Sequence, residues 1–225
     1  EMAVERGAAA VLSSRDVTEL KKKYPEVRFW QVPDTRAALQ EIGRYERERF
    51  RGKVIGVTGS SGKTTMRSML ALALSSERRV FQTAGNANSQ LGVPITLFQL
   101  ARSGAEIAAL ELGMSEPGEM TRIASIARVD LALITNIGTA HIENLKTKEN
   151  ILLEKLHILD GAADGAALYL NGEDPPLSRR RGFTISESLR ERGWSFTFTA
   201  LRRRSRSPQR GIICSKTPRR PSPSR

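Results

Sequence analysis

Residues 59–65, Gly59-Ser60-Ser61-Gly62-Lys63-Thr64-Thr65, follow the apolar run KVIGVT and precede the amphipathic run GKTTMRSMLALALSS. Glycines let a backbone approach an anion closely. A helix that starts at this point aims its free N–H groups and positive dipole end at that anion. Lys63 can reach terminal phosphates, and the Thr64 hydroxyl can ligate Mg²⁺. The spacing G-x-x-x-x-G-K-[ST] would require glycine at 57, where Val57 stands, so this loop is a shorter G-x-x-G-K-T. The competing reading is a Gly/Ser turn followed by a surface lysine. The strand before it and the helix after it favour nucleotide binding.

Other polar residues stand at the ends of apolar runs. Glu111 closes EIAALE and could hold Mg²⁺, which prefers oxygen ligands; otherwise it is a solvated strand-end acid. Asn136 closes LALITN, and His141 follows it in a loop. A histidine there could ligate a metal, bind phosphate or serve a structural role. Asn86, Asn88 and Ser89 lie in TAGNANSQLGVP, where Asn and Gly also suit a plain turn. On a helical wheel Lys155 falls among Ile151, Leu152, Leu156, Ile158 and Leu159, whereas Glu154, His157 and Asp160 fall outside that apolar sector. Such a lysine either snorkels to water or is a modified or metal-associated group at a site.

The elements that would position these groups alternate. Residues 51–177 read as strand, helix, strand, helix through to AALYLN, with strands apolar throughout. That pattern predicts an α/β fold with a parallel sheet covered on both faces and a ligand beyond the strands' carboxyl ends. Residues 1–50 read as a partial small α/β domain: a short helix, two strands (AAVLSS and RFWQV) and a helix capped by Asp34 or Thr35. The chain opens at Glu1, and its natural start is expected upstream.

The formal charge of +12 is localised. Residues 1–177 carry 22 basic and 22 acidic residues, while residues 178–225 carry 14 and 2. This Arg/Ser/Pro-rich segment shows no sustained period and is expected to be disordered. Its charge would bind nucleic acid only non-specifically. A single cysteine, Cys214, excludes an internal disulfide framework and a multi-cysteine metal site. No run of about 18 apolar residues suggests a membrane span.

Five stretches, VIGVTGSSGKTT, TAGNANSQLGVPITL, ALELGMSEPGE, ALITNIGTAHIENL and NILLEKLHIL, occur in order across residues 1–177 and together resemble the Mur ligases. The E-x-G-x-x-x-P-G-E stretch and TN-I-G-x-A-H resemble the branch that adds D-Ala-D-Ala to UDP-N-acetylmuramoyl-tripeptide more than the tripeptide-forming branches or folylpolyglutamate synthase. The resemblance implies a cytoplasmic, monomeric, ATP- and Mg²⁺-dependent amide ligase of cell-wall synthesis. It implies catalytic roles for Lys63, His141 and Lys155, the last as a carbamate. It implies ATP contacts from Gly59, Ser60, Ser61, Gly62, Lys63, Thr64, Thr65 and Asn136. Metal would be held by Thr64, Glu111 and His141, and the muramoyl-peptide by Asn88 and Glu143.

Two departures stand out. His157 occupies a position where similar proteins carry glutamate. The resemblance also stops near LYLNGEDPPL, so the ATP-binding domain (51–177) is expected to be incomplete. A frameshift near residue 178 is the preferred account of the tail over a new domain. Alternatives are a sibling ligase adding another amino acid, or a phosphate-loop protein whose basic tail binds nucleic acid.

Overall fold

The computed structural model describes residues 1–172, 174–178, 194–201 and 209–216. The first elements are α1 (Met2–Glu5), β1 (Ala10–Ser13), α2 (Thr18–Lys23), β2 (Arg28–Gln31) and α3 (Thr35–Arg49). Strands β1 and β2 form a two-stranded parallel sheet of their own. Asp34 caps α3 by accepting from the Arg36 and Ala37 N–H groups, as its position before the helical run predicts.

The main sheet follows: β3 (Lys53–Thr58), α4 (Lys63–Leu74), β4 (Val80–Gln82), α5 (Gly92–Leu100), β5 (Ile107–Glu111), α6 (Glu119–Ala127) and β6 (Leu131–Ile134). Next come α7 (Ile142–Leu145), α8 (Lys148–Leu156) with a 3₁₀ turn, β7 (Ala167–Asn171) and α9 (Pro175–Ser178). Two strands close the series, β8 (Trp194–Leu201) and β9 (Gln209–Lys216). The order is β4-β5-β3-β6-β7-β9-β8, with the first five strands parallel. Helix α6 packs against α5 and α8, α4 packs on β3, β4 and β5, and the right-handed crossover rule for this strand order puts α4 on the opposite face from the other three. The core runs through Val54, Leu97, Leu110, Ile123, Ile134, Ile151 and Leu168, all buried. These are the apolar strand and helix positions that the alternation of elements predicts.

Short helices and added strands differ from the sequence reading. Helices α2, α7 and α9 escaped it because one turn or so carries too little periodicity to register. The sheet also gains two antiparallel strands, β9 on β7 and β8 on β9. For those sixteen residues the expectation of a tail without strand period is corrected. WSFTFT, residues 194–199, does alternate apolar and polar, and the neighbouring arginines obscure the alternation. The remainder of the expected disordered tail lies outside the described residues.

Helix α3 is fastened to the main sheet by a buried cation. Arg47 donates from Nε to the Ala127 carbonyl (2.8 Å) and from one terminal nitrogen to the Arg128 carbonyl (2.8 Å) and Asp130 (3.1 Å). Asp130 also accepts from the Val54 N–H and from Lys53. Removing the guanidinium takes a donor from three carbonyls, those of Phe50, Ala127 and Arg128, and from the Asp130 carboxylate. Arg47→Met is expected to lower stability by about 2–4 kcal/mol in urea unfolding. A loss below about 0.5 kcal/mol would show that solvent replaces the clamp.

Candidate functional site

The site lies at the carboxyl ends of β3, β5 and β6, which are adjacent in the order β5-β3-β6. Val57 is fully buried inside β3 and pairs with Glu111 of β5. The strand therefore continues past the position where a longer loop would need glycine, and the turn begins at Gly59. A side chain at Gly59 would meet the Thr135 hydroxyl at 1.9 Å, and Gly62 sits at φ +73 as the N-cap of α4. Both positions require glycine, one for space and one for backbone conformation.

The loop is fixed against the end of β6. The Ser60 N–H donates to the Asn136 carbonyl (3.0 Å), and the Ser61 N–H donates to Asn136 Oδ1 (3.0 Å). Thr135 Oγ1 donates to the Ser61 carbonyl (2.7 Å), and Asn136 Nδ2 donates to the same oxygen (3.1 Å). Asn136 thus shapes the loop itself. Thr135, which the sequence reading passed over, does the same. Ser60 Oγ is buried without a hydrogen-bond partner among the described residues. Lys63 Nζ folds back to the Gly59 carbonyl at 2.9 Å.

Glu111, 2% exposed, is the second centre. Its Oε2 accepts from Thr64 Oγ1 (2.9 Å) and lies 3.4 Å from an Arg67 terminal nitrogen. Its Oε1 accepts from Asn88 Nδ2 (2.8 Å). Thr64 and Glu111 thus present two hard oxygens side by side, a donor set suited to Mg²⁺. Among the described residues no group of three or more His, Cys, Asp or Glu could hold a metal. Further ligands would come from phosphate and water, as is usual for Mg²⁺. Asn88, expected on the muramoyl-peptide, is here hydrogen-bonded to Glu111. Among the described residues no side-chain hydrogen bond joins His141 or Glu143 to this cluster. Both lie at the start of α7, where His141 is the N-cap at φ +65. The loop there is tied to the β5–α6 connection by Asn144 Nδ2 donating to the Ser115 carbonyl.

Lys155 is 2% exposed and is among the largest fully buried side chains. Burial, and then repulsion from Lys63, lower its pKa to about 7, partly opposed by Glu154. The wheel reading of Glu154 as an outward residue is corrected: Glu154 is buried at 6%. Its carboxylate accepts from the Gly118 N–H (2.9 Å) and the Met120 N–H (2.9 Å). Glu154 therefore caps α6 from the neighbouring helix α8. The Gly118 N-cap has no side chain of its own to do this. That contact fixes α8 beside the site and sets where Lys155 lies.

The sequence profile of the Mur ligase middle domain matches residues 57–201. The match continues beyond the point where the quoted motifs end. The chain is 38% identical over 177 residues to the UDP-N-acetylmuramoyl-tripeptide--D-alanyl-D-alanine ligase of Bacillus subtilis (strain 168). That alignment takes in 79% of this chain and 38% of the relative, so the chain spans less than two-fifths of that protein. Among solved structures it is similar to MurF from Acinetobacter baumannii, with a TM-score of 0.70 and 34% identity. This likeness covers 78% of this chain and 37% of that one. The MurF ligase of Thermotoga maritima in complex with ADP gives a TM-score of 0.69 at 33% identity, over 79% and 40%.

The state of Lys155 has a measurable consequence. Its folded pKa of about 7 lies below the ordinary 10.5. Between these values the unfolded chain holds a proton that the folded chain does not. The stability contributed at this position therefore rises with pH from about 7 to about 10.5, and the full penalty applies below 7. Lys155→Met is expected to be more stable than the parent near pH 6, with the difference shrinking as the pH approaches 10. Urea unfolding at several pH values reads this directly. A difference that does not vary with pH would show a lysine that stays charged.

Proposed function

The chain belongs to the Mur ligase family, and from that premise we propose that it carries the nucleotide-binding part of an ATP-dependent ligase. The ligase would join D-Ala-D-Ala to UDP-N-acetylmuramoyl-tripeptide in peptidoglycan precursor synthesis. The observation that carries this reading is the clustering of Lys63, Thr64 and Glu111 at one sheet end, with Lys155 close enough for Lys63 to perturb it.

In this reading the peptide's terminal carboxylate oxygen attacks the γ-phosphorus of ATP, and ADP leaves. The incoming amine then attacks the acyl carbon, loses a proton and expels phosphate. The reaction depends on charge neutralisation and positioning. Lys63 would swing from the Gly59 carbonyl to the β- and γ-phosphates, and the N–H groups at the start of α4 would line the phosphates. Asn136 would support the loop on the nucleotide side. A bound Mg²⁺ would neutralise phosphate charge, held by Thr64 and Glu111, with His141 serving a second ion. Asn88 and Glu143 would contact the muramoyl-peptide. Such an enzyme would act in the cytoplasm as a monomer. Among the described residues no helix is long and apolar enough to cross a membrane.

A lysine with a pKa of about 7 is substantially neutral near physiological pH, so its nitrogen lone pair is available. It can attack CO₂, forming the N–C bond and releasing a proton, to give a carbamate. With ¹³C-labelled bicarbonate, a carbamate resonance is expected that is absent from Lys155→Arg. A spectrum identical for both proteins would exclude the modification.

Nucleotide binding is the most direct test of the site. The isolated chain is expected to bind ATP and ADP. Lys63→Ala should weaken binding by roughly a hundredfold in calorimetric titration, because the charge-assisted phosphate contact is lost. Unchanged affinity would overturn the loop assignment.

A further inference from the structure

Arg67 has no part in the chemistry above, yet it is 6% exposed and stands against Glu111. It lies three residues after Thr64 on α4, so both side chains leave the same face of the helix. Both converge on one atom, Glu111 Oε2, at 2.9 Å from Thr64 and 3.4 Å from Arg67. The same Arg67 nitrogen also donates to the Gly85 carbonyl at 3.0 Å. Its Nε is buried and has no partner. The guanidinium is therefore held mainly by a carbonyl, and its ionic contact with Glu111 is the longest of the three on that carboxylate.

A buried carboxylate must be paired with charge, and Arg67 is the cation within salt-bridge distance of Glu111. Lys63, at the start of α4, adds a second cation at this end of the sheet, with its Nζ on the Gly59 carbonyl. A free divalent cation approaching Glu111 would thus meet a carboxylate already neutralised. A nucleotide changes this balance, because its phosphates bring several negative charges to Lys63. The metal can then take Oε2 while Arg67 retains the Gly85 carbonyl.

We propose that Arg67 is a positioning residue, the resident counter-ion of Glu111, which lets a divalent cation enter only together with nucleotide phosphates. The inference rests on the reading of Thr64 and Glu111 as metal ligands. It is tested without nucleotide, by Mn²⁺ binding to the free chain followed by electron paramagnetic resonance. The parent should bind Mn²⁺ weakly. Arg67→Met should bind it at least about tenfold more tightly, since one unit of opposing charge a few ångströms away is gone. Arg67→Lys should keep the parent's weak binding, and adding Glu111→Gln to Arg67→Met should abolish the gain. Arg67→Gln gives the same comparison should the Met variant not fold. By linkage, the effect of Mn²⁺ on ADP affinity should shrink in Arg67→Met by the factor that its free affinity gains. Equal Mn²⁺ affinity in the parent and the neutral variants, with ADP binding intact, would overturn the proposal. Failure of the parent to bind ADP would instead overturn the nucleotide reading, and the metal comparison would still decide the role of Arg67.

Discussion

A carboxylate buried at the end of a central strand imposes the main constraint on this molecule. Glu111 can lie at 2% exposure only because hydrogen bonds reach it from two other pieces of chain. Thr64 and Arg67 come from α4, Asn88 comes from the β4–α5 loop, and the carboxylate itself closes β5. An uncompensated charge there would cost several kcal/mol. Satisfying it fixes the roll of α4, the path of the β4–α5 loop and the depth of β5 together. The register of β5 against β3, which pairs Glu111 with Val57, brings the acid to the level at which the phosphate loop turns.

The other strand beside β3 supplies a different kind of constraint. Thr135 and Asn136 bind the backbone of Ser60 and Ser61 at several points, so the loop is shaped before any ligand arrives. Preorganisation of this kind lowers the cost of holding an anion in one geometry. The loop is thus held on one side by β6, while the helix it opens is anchored through Thr64 to β5.

Two buried charges in the same region are resolved in opposite ways. Glu111 keeps a cation beside it. Lys155 is crowded by Lys63 and shielded from water, and its pKa falls to about 7. Glu154, next to Lys155 in sequence, is satisfied by two N–H groups at the start of α6. Adjacent residues on α8 therefore serve different purposes, one joining helices and the other placing an amine at the site.

The sequence alone determined the alternation of elements and the parallel sheet, and it singled out the glycine loop and Lys63, Thr64, Glu111, Asn136 and Lys155 as candidates for the site. These were legible because local rules govern them: apolar periodicity, glycine at a helix start, and polar residues at strand ends. The wheel placed Lys155 on the buried face correctly, but it turned Glu154 outward because a wheel knows only apolar neighbours. The N–H groups that bury Glu154 belong to another helix, 34 and 36 residues away in the chain. Arg67 and Thr135 carried no signal for the same reason, since their partners lie at least 18 residues away. Only the tertiary structure decided these roles. A buried polar group is defined by the partner that satisfies it, and here the sheet order brings that partner from a distant part of the chain.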